Sequence, residues 1–397
     1  MRERRSWGTG GEQLKRIRGK TLAFFKKETV LCVALILALF SMFLVPPDRD
    51  YSGYIAFRTL AILFCLMCVM AGLQKIGVFD RIARKLLGRV RSGSGLVLTL
   101  VLLCFFFSML ITNDVALITF VPFTFIVLRM LGTETEDRLL LSVVVLQTIG
   151  ANLGSMLTPI GNPQNLYLYG KAGMSVGGFL MLMLPYTLLS LILLAVLCVL
   201  QGRVCSRFSQ LEKAASKEAF PMEKKTVCQL VVYLALFLLC LLVVGHILPW
   251  QAVLFVVLAV IFVTDRQILT RVDYSLLLTF VGFFIFIGNV GRVPVFRAFL
   301  QSFIAGREIY TAVIASQVIS NVPAALLLSG FTEDMAGLIV GTNLGGLGTL
   351  IASMASLISY KNVAKEAGER KGSYIALFTA WNIIFLAALI CMNLLIR

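Results

Sequence analysis

Residues 108–122 read SMLITNDVALITFVP, and Asn113 and Asp114 interrupt a stretch that otherwise carries no charge from Ser92 to Leu128. A carboxylate within hydrocarbon costs several kcal/mol, so it is kept only with a partner, a watery cavity or a task. Two tasks suit Asp114: ligating a sodium ion directly, or exchanging a proton. Both are ion chemistry, and both need further oxygen donors nearby.

Those donors recur at fixed offsets. SMLITNDVAL from Ser108 matches SQVISNVPAA from Ser316, pairing Thr112 and Asn113 with Ser320 and Asn321, while Val322 and Pro323 follow where the first copy has Asp114. NLGSMLTPIG from Asn152 matches NLGGLGTLIA from Asn343, pairing Gly154, Ser155 and Thr158 with Gly345, Gly346 and Thr349. A third pair, DYS at Asp50–Ser52 and Asp273–Ser275, precedes VF at Val78–Phe79 and Val295–Phe296. All three pairs keep the same order, the signature of an internal repeat. Ser, Thr, Asn and Gly are also the ordinary packing residues of membrane helices, which is the plain reading of any one of them. As a matched set they form hard oxygen and amide donors suited to Na⁺ or H⁺ coupling and a small anion, and unsuited to a soft metal.

The elements that must position these residues are membrane helices. Of 397 residues 59% are hydrophobic and 14% are charged, which predicts an all-α polytopic membrane protein. Apolar runs near 29–46, 55–73, 139–170, 175–202, 226–246, 249–264, 274–290, 335–359 and 373–396 are long enough for about nine crossings. Two more, 95–128 and 309–331, carry the polar motifs in their middles and are expected to be re-entrant hairpins. Pro159, Gly161 and Pro163 should break the helix over 139–170, and Gly345, Gly346 and Gly348 the one over 335–359. Such breaks at membrane depth are tolerated only where the backbone is buried in protein or lines a cavity.

With both hairpins returning to their own side, 29 of the 36 Lys and Arg share a side with the N-terminus, which is then cytoplasmic, leaving the C-terminus external. Residues 1–28 form a basic cytoplasmic tail, 29–202 a first repeat, 203–225 a charged cytoplasmic linker, 226–246 a connecting span and 249–397 a second repeat. The connecting span turns the second copy upside down, giving inverted repeats with discontinuous helices, an architecture of secondary transporters.

Other features carry less. The charge of +16 lies in short loops, so no nucleic-acid partner is expected. Cys65 and Cys68 sit mid-helix without a neighbouring His, a core-packing arrangement. His246, the one histidine, and Arg58 stand near span ends. GTNLGGLG at 341–348 lacks the lysine and strand of a phosphate loop. No nucleophile with a base, aspartate pair or metal cluster is evident, so the chain is not expected to be an enzyme, and no cofactor is implied beyond the coupling ion. A channel remains the other class, since broken helices also build selectivity filters.

The motifs ITNDVALITFVP, ISNVPAALLL, NLGSMLTPIGNPQN and GTNLGGLGTLIASMASLISY resemble the ion transporter superfamily over about residues 29–396, especially its citrate-transporter-like members. That group includes the divalent-anion:sodium symporters and the arsenite-permease and sodium-proton-antiporter branch. The resemblance implies a homodimer in the cell (inner or plasma) membrane, with a transport domain that moves like an elevator. It also implies that Thr112-Asn113-Asp114 and Ser320-Asn321-Val322 stand where the symporters' Ser-Asn-Thr tips bind sodium and substrate carboxylates. Sodium would then sit at Asn113, Asp114, Asn321 and nearby carbonyls. The expected function is cation-coupled secondary transport of a small anion, in particular a carboxylate. The alternative is sodium-proton antiport, or permeation of arsenite or another inorganic anion.

Overall fold

The computed structural model describes residues 28–88, 90, 92–202 and 223–396, so the basic tail and most of the 203–225 linker lie outside the described residues. In chain order the helices are α1 Thr29–Leu44, α2 Tyr51–Tyr54, α3 Phe57–Lys75, α4 Val78–Leu87, α5 Gly93–Ile111, α6 Asn113–Met130, α7 Thr133–Ser155, α8 Pro163–Ala172 and α9 Val176–Gly202. They continue with α10 Lys224–Val244, α11 Trp250–Thr264, α12 Tyr274–Gly291, α13 Pro294–Ile304, α14 Glu308–Ile319, α15 Asn321–Ser329, α16 Met335–Leu344, α17 Met354–Glu366 and α18 Lys371–Ile396. Among the described residues eight helices are long and apolar enough to cross a membrane, in agreement with the all-α polytopic class.

Local chemistry sets the helix starts. Ser92 Oγ accepts the Gly95 N–H ahead of α5 at 3.1 Å, and Asp334 Oδ1 accepts the Gly337 N–H ahead of α16 at 2.8 Å. Side-chain oxygens at these positions take up donors that the first helical turn leaves free. Helix ends run past the apolar windows where charged turns follow. α7 begins at Thr133 and not 139, and α17 continues to Glu366 and not 359, because a helix persists in water where hydropathy no longer marks it.

The two hairpins differ in size. The arms of the first, α5 and α6, have 19 and 18 residues, whereas those of the second, α14 and α15, have 12 and 9. Only the first pair is of crossing length.

The chain divides into two compact units. One combines residues 28–56 with 273–297. Here α1 packs along α12, with Gly282 against the Ala34 backbone. The Asn289 amide donates to Ser41 Oγ at 3.0 Å and to Tyr51 Oη at 2.8 Å, and Arg292 pairs with Asp48 at 2.5 Å. The other unit, the described residues of 57–272 and 298–396, holds both hairpins and both interrupted helices. Its core is apolar, with Phe105, Phe120, Phe179, Phe378 and Phe385 fully buried. At one end Arg129 pairs with Glu366 at 2.9 Å and Arg370 with Asp137 at 2.9 Å. These pairs bring the loop around 129–138 beside 360–371, and Lys75 joins the loop after α3 to Asp265.

Candidate functional site

Each hairpin reverses through one residue. Thr112 separates α5 from α6 with φ 70° and ψ 151°, and Ser320 separates α14 from α15 with φ 75° and ψ 153°. This backbone region belongs almost wholly to glycine and costs about 1–3 kcal/mol elsewhere, so a β-branched Thr is held there by its surroundings. What holds it is the neighbouring break. The Asn113 N–H donates to the Gly161 carbonyl at 3.3 Å, and the Asn321 N–H donates to the Ala352 carbonyl at 2.9 Å. Gly161 stands nine residues after Asn152, and Ala352 nine after Asn343, so matched positions make matched bonds.

The breaks themselves follow from composition. α7 stops at Ser155 and α8 starts at Pro163, with Pro159 and Gly161 between them. α16 stops at Leu344 and α17 starts at Met354, with Gly345, Gly346 and Gly348 between them. The residues capping the second halves, Asn162 and Ser353, are both extended, with φ near −140°. Thr158 donates its hydroxyl to the Met109 carbonyl, and Thr349 donates to the Gln317 carbonyl at 3.2 Å, again equivalent positions. Gly154 lies directly on the Phe105 carbonyl, with Ser108 Oγ beside it, and Gly345 lies against Ser316. A side chain at Gly154 would occupy backbone space.

Asparagines join the two copies at the centre. Asn113 Nδ2 donates to Asn152 Oδ1 at 3.0 Å, and that oxygen also accepts from Ser353 Oγ at 3.0 Å. Asn152 Nδ2 faces the Gly346 carbonyl at 3.5 Å and Ser356 Oγ at 3.4 Å. Reciprocally, Asn343 Nδ2 donates to Asn165 Oδ1 at 2.7 Å. Asn165 Nδ2 donates to the Ser155 and Thr158 carbonyls at 3.3 Å, and Asn162 Nδ2 to Ser155 Oγ at 2.7 Å. Asn113, Asn152, Asn321 and Asn343 are all at most 5% exposed, so water does not supply these contacts.

Of the residues picked out by spacing, the structure therefore gathers Asn113, Asn152, Gly154, Ser155, Asn343, Gly345 and Gly346, with Thr112, Ser320 and Asn321 at the adjoining tips. Asp114 occupies the first turn of α6, where the helix dipole favours a carboxylate, and its own N–H donates to Asn113 Oδ1 at 2.9 Å. Val322 and Pro323 form the buried first turn of α15 and offer no side-chain donor. Thr158 turns to Met109, and Thr349 is exposed. Spacing alone did not pick out Asn162, Asn165, Ser353, Ser356 or Gln317. The first four stand at equivalent places in the two copies, so extending the repeat past the glycines would have found them. Gln317 has no such mark, yet its Nε2 donates to the Gly345 carbonyl at 3.0 Å and to the Leu347 carbonyl at 2.9 Å, and its Oε1 accepts the Thr349 N–H at 2.8 Å.

Four half-helices, α6, α8, α15 and α17, begin at this cluster, and four, α5, α7, α14 and α16, end there. Their N-termini favour an anion and their terminal carbonyls a cation. The buried Asn162 Oδ1 and Asn343 Oδ1 accept no hydrogen bond, so hard oxygens of the kind that ligate a hard cation are left unused at the breaks. Among the described residues no group of three His, Cys, Asp or Glu is arranged for a metal.

The remaining candidates lie away from the cluster. Arg58 caps the end of α10 through the Val243 carbonyl at 2.9 Å. His246, in the turn after α10, lies 5.7 Å from the Tyr169 ring, and burial, with the positive Arg58 beside it, holds its imidazole below the usual range. Cys65 and Cys68 are buried in α3.

Residues 21–338 match the family model described as citrate transporter. The chain is 32% identical to the uncharacterized transporter MJ0456 of Methanocaldococcus jannaschii over 307 residues, covering 77% of this chain and 81% of the relative. It is 30% identical to inner membrane protein YbiR of Escherichia coli over 323 residues, covering 80% and 83%. A shorter match of 187 residues, 30% identical, relates 45% of this chain to 36% of the silicon efflux transporter LSI3 of Oryza sativa.

Proposed function

Because the chain belongs to the citrate transporter family and is a multi-pass membrane protein, we propose that it is a cation-coupled secondary active transporter of a small anion, in particular a carboxylate, working by alternating access. One observation carries this reading: two broken helices and two strained hairpin tips meet at matched positions, joined by buried asparagines. The arrangement supplies what transport needs, namely half-helix N-termini for an anion beside unwound carbonyls for a cation.

In this reading the two copies are inverted repeats, and each hairpin returns to the side from which it enters, the first on arms of crossing length and the second on short re-entrant ones. Sodium or a proton binds at Asp114 with the Asn113 and Asn321 tips, and the cation organises the tips for the anion. The loaded domain then crosses as an elevator within a homodimer. Coupling follows if cation and anion stabilise the same state, so that half-loaded forms cross poorly. The N-terminus is cytoplasmic and the C-terminus external, on the excess of Lys and Arg in the loops assigned to that side.

A second reading is sodium-proton antiport, or permeation of an inorganic oxyacid such as arsenite. The likeness to a silicon efflux transporter and the carboxylate at Asp114, absent from the second copy, favour it.

Uptake of labelled succinate, citrate, sulfate and arsenite into proteoliposomes, under either a sodium or a proton gradient, tests both. Uptake of one anion driven by one gradient and lost in Asp114→Asn is expected. Exchange of sodium for protons with no anion movement would replace the symport reading with the antiport one. Flux that does not saturate and needs no gradient of a second ion would indicate a channel.

A further inference from the structure

Gln164 stands second in α8, between Asn162 and Asn165 of the cluster, and is not among the residues that spacing picks out. It is 1% exposed, and neither its Oε1 nor its Nε2 has a hydrogen-bond partner. Other buried amides with an unused oxygen, Gln147, Asn162, Asn289, Asn343 and Asn382, each donate through their nitrogen. Among the described residues Gln164 is the one buried amide with both ends unused. Leaving a buried donor and acceptor unmade carries the full desolvation penalty of each group, so such a side chain is kept for something that binds there.

Its direction follows from α8. Tyr167, one turn further on, has its hydroxyl 2.9 Å from Ser329 Oγ on α15, so Gln164 faces α15 as well. Both helices start at the cluster, α8 at Pro163 and α15 at Asn321, and run away from it side by side. One turn back from Ser329 is the buried Ala325–Leu326 pair, on the way to the Asn321 tip. Gln164 thus lies in the first turn of α8, a ten-residue helix, beside the apolar middle of the returning arm of the second hairpin. That hairpin has Val322, with no polar side chain, where the first has Asp114.

We propose that Gln164 is the specificity-determining residue of the transport site, reading a donor–acceptor edge of the substrate. A carboxamide offers one acceptor and two donors in a plane, and it pairs in two bonds with a group carrying an O–H beside an acceptor oxygen. The substrate class is therefore a small acid bearing a hydroxyl next to its carboxylate, or an oxyacid that keeps a proton. Fully ionised acids without a hydroxyl satisfy one end of the amide and leave the other unmade. Discrimination of this kind is strong, because the wrong substrate leaves a buried polar group unpaired. The assignment rests on the transport reading above.

The test compares pairs differing by one hydroxyl, malate with succinate and lactate with propionate, in proteoliposomes of wild type, Gln164→Leu and Gln164→Met. Wild type should favour the hydroxylated member of a pair in uptake efficiency, and both variants should lose that preference by about 10-fold or more, mainly through KM. Melting temperatures of the purified variants should match or exceed wild type, since no internal hydrogen bond is removed. Three outcomes overturn the assignment: a preference unchanged in the variants, a wild type that transports without preferring either member, or a lowered melting temperature in both variants, which would reveal an internal partner for the amide. The first two leave the transport reading standing. A wild type that moves no acid of either pair under any gradient overturns the transport reading and this assignment with it.

Discussion

The first hairpin and break, and the second, use the same backbone device with different side chains. In both, a single non-glycine residue at φ near 70° turns the hairpin, and the next N–H bonds the carbonyl nine residues after the break's asparagine. The first break is set by Pro159 and Pro163 and stitched by Asn162 and Asn165. The second has no proline and is stitched by Gln317, whose amide bonds two of its carbonyls and one of its N–H groups. The first tip carries Asp114 and the second Val322. Geometry is therefore common to the two copies, whereas charge belongs to one. A site built this way treats its two ends alike in shape and differently in electrostatics.

Four experiments break or sharpen that comparison. The largest effect is expected at the glycines. Gly154→Ala places a methyl on the Phe105 carbonyl and should cost about 3 kcal/mol or more, whereas Gly345→Ala meets chiefly the Ser316 side chain and should cost less. Thermal unfolding of detergent-purified variants checks the order, and equal losses would remove the distinction between the two breaks. Next, Asp114→Asn should reduce coupled uptake by more than about tenfold, as expected from losing one charge-assisted contact of about 1.5–3 kcal/mol. Val322→Asn, at the equivalent position, should leave the ion dependence in place, and if it alters that dependence as much as Asp114→Asn does, the asymmetry of charge is wrong. Gln317→Ala removes the stitch of the second break and should lower stability by about 1–3 kcal/mol, with the first break unaffected by hydrogen exchange.

The smallest effect concerns two tyrosines at equivalent places. Tyr169 faces His246 at 5.7 Å, while Tyr360 faces Tyr374 at 6.3 Å. The His246 imidazole is held below its ordinary value in the folded protein, so the unfolded chain binds the proton more readily. Its contribution is complete above the unfolded value, about pH 6.5, and declines as pH falls through it. A small drop in melting temperature between pH 7.5 and 5.5 that vanishes in His246→Gln is expected.

The polar positions of the tips and breaks were legible because their signals are local. Prolines and clustered glycines cannot continue a helix, and Asn113, Asp114 and Asn321 stand out against uniform apolar surroundings. Helix ends were less so, since Thr133–Arg138 and Lys361–Glu366 extend α7 and α17 into charged sequence that hydropathy does not register. Asn165, Ser353 and Ser356 carry the repeat's offset but do not stand out by residue type, and Gln317 carries no mark at all. Small polar residues are common wherever membrane helices pack, and what distinguishes these is which carbonyl each one faces. That information is tertiary. Gln164 shows the limit most clearly, because its mark is the absence of any partner, which spacing does not encode.

The central claim is that the two copies form one site, and a double-mutant cycle on substrate binding tests it directly. Binding of the anion that the uptake assay identifies, with the ion that drives it held at saturation, would be measured for wild type, Asn152→Ala, Asn343→Ala and the double variant. Each single change should weaken binding about tenfold or more, and the pair should depart from additivity by about 0.5–3 kcal/mol, as groups sharing one network do. Strict additivity, or a single variant that binds as tightly as wild type, would contradict the account.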